Sequence, residues 1–235
     1  MRRIVSLLAA LTCATTLGTG LSTAAAAAPA RSWVVEAQRT LNHLGCDSGR
    51  PDGRVDRQVR AAAVRFQAAS GTPQSGHLTS DTRRRLRADD APRCDRRPVP
   101  AGSGRGRRVV VSQAQNWLWL VGPRGRTLAQ GGMIDNTREL RPGSYTTGSY
   151  CGRAARIARN SDYSGRLWLD DFVRFAPCGI GFHRIPRYKS TGRQIHADWL
   201  LGTDLAASHG CLRLSAVMAG KVWRFTARRT VVRVL

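Results

Sequence analysis

The period of the apolar residues changes once along this 235-residue chain, and that change constrains the fold more than any other feature. Apolar residues recur at helical spacing between residues 33 and 87, whereas from residue 109 onward they follow the period of two that a strand requires. Residues 91–107, between these regions, are rich in Pro, Gly and Arg, which is typical of a linker. The sequence therefore predicts an α+β protein with several domains, a small helical one over 31–90 and a mostly β one over 108–235.

The helical domain is predicted to contain three short helices. Their apolar positions are Trp33, Ala37, Leu41 and Leu44 on the first helix, Val59, Ala63 and Phe66 on the second, and a run ending at Leu86 on the third. Turn-forming residues at 49–53 and 71–76 separate the helices. Thr79 or Ser80 is the expected N-cap of the third helix, because hydroxyl side chains accept bonds from the free N–H groups there.

The β domain is predicted to open with a hairpin, in which residues 113–116 turn the chain between strands at 109–112 and 117–121. The remaining predicted elements are strands at 166–169, 172–175 and 230–235 and a helix over 215–225. Trp117 and Trp119 lie on one face of a strand. A place in the core is a better interpretation of this pair than a platform on which sugars stack.

Residues 1–30 are interpreted as a signal peptide. Two arginines precede a short apolar segment at 4–11, and an alanine tract ending near Ala28 or Ala30 supplies small residues for cleavage. The apolar segment is too short to span a membrane. We therefore expect a secreted protein with no membrane span after cleavage. Cys13 is expected to leave with this segment, the alternative being a lipid anchor.

The cysteine count then predicts one free thiol. Of six cysteines in the chain, five remain after cleavage, and two that meet in an exported protein normally oxidise. Pairing within each compositional block gives Cys46–Cys94 and Cys151–Cys178. This pairing leaves Cys211 reduced.

The chain is strongly basic, with a formal charge of +23 and a pI near 11.6. Such a charge predicts attraction to a polyanion. For an exported chain, we expect the phosphates and carboxylates of anionic wall polymers rather than nucleic acid, because the arginines are scattered and not interleaved with aromatic residues. The alternative is a generic arginine-rich surface.

The run Ser-His-Gly-Cys at 208–211 suits a thiol nucleophile. A cysteine attacks a carbonyl as the thiolate, and a nearby histidine takes the thiol proton and later gives it to the leaving amine. His183 and His196 both lie upstream, and the residues alone allow either to be the base. The alternatives are an inert buried thiol and a zinc site, whose ligands would have closer and more regular spacing. We therefore predict no metal and no cofactor.

The neighbours of Cys211 are predicted to shape an oxyanion site. Gly210 removes a Cβ where substrate and backbone must approach closely. If the residues after Cys211 turn into the helix near Ser215, the N–H groups of Gly210, Cys211 or Leu212 can point at a developing oxyanion.

Two parts of the chain resemble known families. Residues 35–45, Asp52-Gly53 and 59–67 resemble the small peptidoglycan-binding domain of many wall enzymes, except that Arg-Val-Asp follows the Asp-Gly pair. The run Ser-His-Gly-Cys-Leu-Arg-Leu-Ser at 208–215, with Phe-His-Arg-Ile-Pro at 182–186, resembles the catalytic signature of L,D-transpeptidases. This second resemblance covers residues 109 to about 235 and implies the YkuD-type β fold.

The L,D-transpeptidase resemblance assigns roles to the motif. It implies that Cys211 is the nucleophile, that His183 is the base, and that His209 lines the same site. His183 is preferred to His196 because the family often places a proline three residues after this histidine. Arg184 departs from the serine common there, and the interval from His183 to the motif is longer than usual. Ser208, Gly210 and Leu212 would shape the site, and Arg213 would bind substrate carboxylates unless it is an ordinary surface arginine.

The function implied by the resemblance is acyl transfer on peptidoglycan. Cys211 would form a thioester with the third residue of a stem tetrapeptide and expel the terminal D-alanine, and an amine of a neighbouring stem would resolve the thioester into a crosslink. An L,D-carboxypeptidase or hydrolase would use the same thioester with water. A non-catalytic wall-binding protein is the third alternative. The expected location is outside the cell, associated with the wall.

Overall fold

The computed structural model of the protein describes residues 27–235, with the side chains of residues 32–235 except that of residue 178. Most of the predicted signal peptide, including Cys13, lies outside the described residues. Within the described range, no helix is both long and apolar enough to cross a membrane.

The first part of the described chain is helical, as the sequence predicts. Its helices are α1 (Ala27–His43), α2 (Arg57–Ser70) and α3 (Ser80–Leu86). The Asp56 carboxylate accepts a bond from the Val59 N–H at 2.8 Å and caps α2, and the Thr79 hydroxyl caps α3. The apolar residues Leu41, Phe66 and Leu86 pack together in the centre of this module.

A disulfide joins Cys46, which follows α1, to Cys94, which follows α3. This bond confirms the predicted pairing. Cys151 is also disulfide-bonded, whereas the side chain of its predicted partner, Cys178, lies outside the described residues. Cys211 is a free thiol, as predicted.

The second part of the chain forms ten strands and one α-helix within the described residues. The strands are β1 (Arg108–Ser112), β2 (Trp117–Val121), β3 (Thr127–Ile134), β4 (Gly143–Thr146), β5 (Arg156–Ser161), β6 (Leu167–Arg174), β7 (Gly181–Arg184), β8 (Arg187–Tyr188), β9 (Leu212–Leu214) and β10 (Val231–Val234), and the helix is α4 (Ala216–Phe225). They form one sheet in the order β4-β10-β1-β2-β3-β9-β7-β6-β5, with β8 beside β6. The β1–β10 and β7–β9 pairs are parallel, and the other pairs are antiparallel.

The predicted hairpin is β1–β2, and its two faces are both buried. Leu118 and Leu120 point into the main core, which α4 covers with Met218 and Val222. Trp119 is fully buried on the opposite face. The tryptophan face therefore belongs to a second core, as predicted, and not to a sugar platform.

The strand predictions were incomplete, since β3, β4, β5, β7, β8 and β9 were not predicted, and they were wrong in one place. Residues 166–169 and 172–175 were expected to form two strands, but 167–174 form the single strand β6, because Asp170 and Asp171 continue the chain without a turn. Asp170 pairs with Arg159 of β5 and bonds to Arg187 beside β6, so the polar pair is held within the sheet.

Two buried arginines join the helical module to the β module. Arg65 of α2 donates to the Cys46 carbonyl in its own module, and to the carbonyls of Trp199 and Leu201 in the β module. Arg97, from the predicted linker, donates to the Arg65 carbonyl at 3.0 Å. These bonds fix how the two modules pack against each other.

Candidate active site

The site lies on one face of the adjacent parallel strands β7 and β9. Their register places His183 beside Arg213 and Phe182 beside Leu212. Successive side chains of a strand point to opposite faces, so Phe182 and Leu212 enter the core. His183, Arg213 and Cys211, which directly precedes β9, therefore share the other face.

Cys211 holds its thiol partly buried at the start of β9. Its Sγ donates to the Gly179 carbonyl at 3.2 Å. Burial raises the pKa of this thiol, while the Gly181 N–H and the charges of Arg174 and Arg213 act in the opposite direction. The thiol is therefore neutral at neutral pH, and a base would have to remove its proton before the sulfur could act as a nucleophile.

His183 is the candidate base, because it lines the same cavity as Cys211. Its Nδ1 lies 2.5 Å from the Arg184 carbonyl oxygen, which can only accept, so Nδ1 carries the proton. Nε2 is then the nitrogen with a free lone pair. Burial lowers the pKa of His183 to about 4, so the ring is neutral at neutral pH. The Phe172 ring stacks on it, with the ring centres 6.1 Å apart.

The structure separates His183 from the alternative, His196. His183 and Cys211 line the same cavity, and His196 does not. His196 Nδ1 faces the Ala197 carbonyl at 3.1 Å, and its Nε2 is buried without a hydrogen-bond partner among the described residues. The geometry favours His183.

The segment before Cys211 is held by a loop that follows β3. The Ser208 N–H donates to the Asp135 carbonyl at 3.0 Å, and the Asn136 side-chain amide donates to the Ser208 carbonyl at 2.9 Å. Gly210 has a φ of +114°, and a Cβ there would lie 3.2 Å from the Glu139 Cβ. The glycine is therefore required by conformation and by space.

The chain does not turn into a helix at Cys211. Strand β9 intervenes, and the helix α4 begins only after Ser215, whose hydroxyl caps it. The Gly210 N–H donates to the Ser208 hydroxyl at 3.0 Å and is therefore not free for an oxyanion. Leu212 is fully buried in the core, on the face of β9 opposite the cavity, so its side chain does not line the site.

The cavity that contains Cys211 has a volume of about 780 Å³. Its charged lining residues are four arginines and two carboxylates, a net formal charge of +2 with neutral histidines: Arg153, Arg166, Arg174, Arg213, Glu139 and Asp162. His209 lies exposed at this cavity and meets the Tyr163 ring edge-on, with ring centres 6.0 Å apart. The site is therefore suited to an anionic substrate.

Sequence reasoning missed Arg174, Asp135 and Asn136. The signal for Arg174 was available, since an arginine within the apolar run 172–175 is unusual. The loop residues carried no such signal. Among the described residues, no group of three or more potential ligands could hold a metal ion.

Comparison with known families identifies the helical module. Residues 31–86 match the family model described as "Putative peptidoglycan binding domain". The helical module is similar to that family. This match confirms the resemblance seen in the helix and Asp-Gly patterns of the module. No curated protein matches the chain.

Several solved structures are similar to the chain. An L,D-transpeptidase from Stackebrandtia nassauensis is 21% identical with a TM-score of 0.42, over 86% of this chain and 90% of the other. An L,D-transpeptidase from Xylanimonas cellulosilytica is 20% identical with a TM-score of 0.46, over 86% and 93%. A fused Zn-dependent amidase/peptidase/peptidoglycan-binding domain-containing protein from Clostridium acetobutylicum is 14% identical with a TM-score of 0.40, over 87% and 95%.

Proposed function

We propose that the chain is an L,D-transpeptidase, a cysteine acyltransferase that crosslinks peptidoglycan stem peptides. One observation carries this proposal. The free thiol of Cys211 lies on the same strand face as His183, whose Nδ1 is held by a backbone carbonyl so that Nε2 is available as a base. The match of the helical module to a peptidoglycan-binding family supports the choice of substrate.

The first half-reaction transfers the acyl group to sulfur. His183 Nε2 takes the thiol proton as the sulfur attacks the carbonyl carbon of the third stem residue. The C–S bond forms, and the tetrahedral intermediate expels the nitrogen of the terminal D-alanine, which receives the proton from His183. The Arg184 carbonyl accepts a hydrogen bond from the Nδ1–H group throughout and stabilises the transient imidazolium.

The second half-reaction resolves the thioester. After D-alanine leaves, a side-chain amine of a neighbouring stem attacks the same carbonyl carbon while neutral His183 accepts its proton. The C–N bond forms, the C–S bond breaks, and the sulfur recovers the proton. Water in place of the amine gives only a shortened stem, which is the L,D-carboxypeptidase outcome.

Product analysis tests the proposal. The purified protein is incubated with a stem tetrapeptide, with and without an acceptor amine, and both protein and products are examined by mass spectrometry. We expect free D-alanine, a thioester on Cys211 and a crosslinked dimer with the amine. Release of D-alanine with no dimer at any amine concentration would identify a hydrolase. Absence of any adduct on Cys211 would contradict the acyl-enzyme.

Two histidine variants form a matched pair for this assay. His183→Gln is expected to slow thioester formation at least 100-fold, because general-base catalysis typically contributes a factor of about 10² to 10⁴. His196→Gln is expected to retain the wild-type rate, because His196 does not line the cavity. If thioester formation were slow in His196→Gln and normal in His183→Gln, His196 would be the base instead.

We also propose a location outside the cell, in association with the wall. The net charge of +23 favours anionic wall polymers, and the helical module would add contacts with peptidoglycan. A sedimentation assay with purified walls tests both parts. Stripping the anionic polymers from the walls should weaken binding and reduce its salt dependence, while residual binding reports the peptidoglycan contact. Equal binding to both preparations would contradict the proposed attraction to anionic wall polymers.

A further inference from the structure

Arg174 is a buried cation with an unused hydrogen-bond donor. It ends β6, opposite Gly181 of β7, and is only 1% exposed. Its Nε donates to the Ala154 carbonyl at 3.2 Å, and its guanidinium lies 4.9 Å from the centre of the Phe172 ring. Its Nη1 is buried and has no hydrogen-bond partner among the described residues.

The surroundings of Arg174 do not balance its charge. Within the described part of the chain, no carboxylate oxygen lies within 4 Å of its guanidinium. The nearby charge of Arg153 and burial both lower the pKa of Arg174. A buried guanidinium is normally paired, because an unpaired one loses its hydration without compensation. An anionic group that entered the cavity would therefore give this guanidinium the partner that the described residues do not supply.

Arg174 differs from the other arginines that leave a buried nitrogen unpartnered. Arg108, Arg156 and Arg184 each leave only Nε unpartnered, and none of them lines the cavity around Cys211. Arg174 does line that cavity. It also lies opposite Gly181, whose N–H acts on the Cys211 sulfur. Arg174, at the end of β6, and Cys211, directly before β9, thus belong to the two strands that flank β7 and line the same cavity.

We infer that Arg174 binds the terminal carboxylate of the donor peptide, and so selects donors that end directly after the bond that is broken. This inference rests on the proposed function for the identity of the donor. In a tetrapeptide, only the nitrogen and Cα of the expelled residue separate the attacked carbonyl from that carboxylate. In a pentapeptide the carboxylate lies one residue further, about 3.5 Å away along an extended chain. A guanidinium fixed at the end of a strand pairs with a carboxylate at one of these two positions and not at both, and we assign the nearer position to Arg174.

Binding to an inactive protein tests this inference without catalysis. The probes are one stem tetrapeptide with a free terminal carboxylate and the same peptide with a terminal amide, titrated by calorimetry into Cys211→Ala. We expect the acid to bind roughly 10- to 100-fold more tightly, the range for a charge-assisted hydrogen bond. Equal affinity for acid and amide would overturn the inference, and this comparison needs no change at Arg174.

Variants then assign the preference to Arg174. Adding Arg174→Gln to Cys211→Ala should weaken binding of the acid to the level of the amide and leave the amide unaffected. Arg174→Lys should keep part of the preference. Arg159→Gln removes the same charge from β5 outside the cavity and should leave both affinities unchanged. An equal loss for both peptides in Arg174→Gln, or an undiminished preference, would show a merely structural role and overturn the inference.

Turnover separates the failure of this inference from that of the proposed function. With Cys211 intact, the acid should have a kcat/KM at least 10-fold above that of the amide, and Arg174→Gln should remove this difference. If the peptides bind with the expected preference but no thioester forms, the proposed function fails and the carboxylate site stands. If a thioester forms equally from both peptides, the carboxylate site fails and the function stands.

Discussion

At the scale of single residues, the site holds a neutral thiol beside a neutral imidazole. Burial raises the pKa of Cys211 and lowers the pKa of His183, so each group resists its charged form. A preformed thiolate–imidazolium pair is therefore disfavoured in the resting enzyme. Under the proposed function, the proton would move to His183 only as the sulfur attacks, when the substrate has entered the cavity.

The pH dependence of acylation follows from this arrangement. His183 accepts a proton only when neutral, and its pKa is lowered to about 4, so activity is present above that pKa and is lost as the pH falls through it. We expect the second-order rate constant for acylation of Cys211 by a carbapenem to be flat from about pH 8 to about pH 5.5 and to halve near pH 4, because this constant reports the pKa of the free enzyme. A midpoint near 6.5, the ordinary histidine value, would contradict a desolvated base.

Gly210→Ala should disrupt the motif at one residue. The φ of +114° is unfavourable for alanine, and the new Cβ would lie 3.2 Å from that of Glu139. We expect a loss of about 1–3 kcal/mol in unfolding free energy and a large drop in the acylation rate of Cys211, because the strained backbone directly precedes the sulfur. Gly125→Ala is the control, since its φ is +81° in open space. Gly125→Ala should lose only the stability that the unfavourable φ costs, and it should leave the acylation rate of Cys211 unchanged.

At the scale of elements, sequence patterns predicted the helices and the first hairpin and missed most other strands, including the eight-residue β3 and the short strands that build the site. Helical periodicity predicted α1 to α3 and α4, and two apolar runs on either side of a turn predicted β1 and β2. Strands β7 and β9 contain four and three residues, too few to show a period, and they pair only through contacts distant in sequence. The motif predicted Cys211 and His183 as site residues, and the structure places both at one cavity. The strand between Cys211 and α4 was not predicted, because three residues are too few to show a period.

The Cys46–Cys94 disulfide should stabilise the helical module in particular. It joins residues 48 apart in the sequence. A cross-link that closes a loop of that length restricts the unfolded chain and raises the free energy of unfolding by about 2–4 kcal/mol. The Cys46→Ala/Cys94→Ala variant should therefore lose about that much stability in the helical module by urea denaturation. The acylation rate of Cys211 at 25 °C should stay near wild type, because neither cysteine lines the cavity. An unchanged unfolding midpoint would show that packing alone holds α1 and α3.

At the scale of the whole molecule, buried arginines connect the two modules where apolar contacts would be usual. Burial lowers the pKa of Arg65 to about 10 and that of Arg97 to about 9, so both stay protonated at neutral pH. Each donates to backbone carbonyls on both sides of the junction. Gln74, in the loop after α2, adds bonds to Ala114 and Asn116 of the β1–β2 turn. Backbone carbonyls occupy fixed places in each module. Hydrogen bonds to carbonyls of both modules therefore hold the modules in one orientation.

Removing Arg65 should uncouple the modules. Arg65→Met keeps most of the apolar stem but leaves the carbonyls of Cys46 and Leu201 without this donor. Hydrogen bonds to a charged group contribute roughly 1.5–3 kcal/mol each, partly offset by the desolvation cost of the guanidinium, so we expect a net loss of about 2–4 kcal/mol. The wild type should melt in one calorimetric transition and Arg65→Met in two, with the helical module melting first. Arg60→Met, on an exposed position of the same helix, should melt like the wild type. A single, unshifted transition in Arg65→Met would mean that the remaining contacts of the junction suffice to couple the modules.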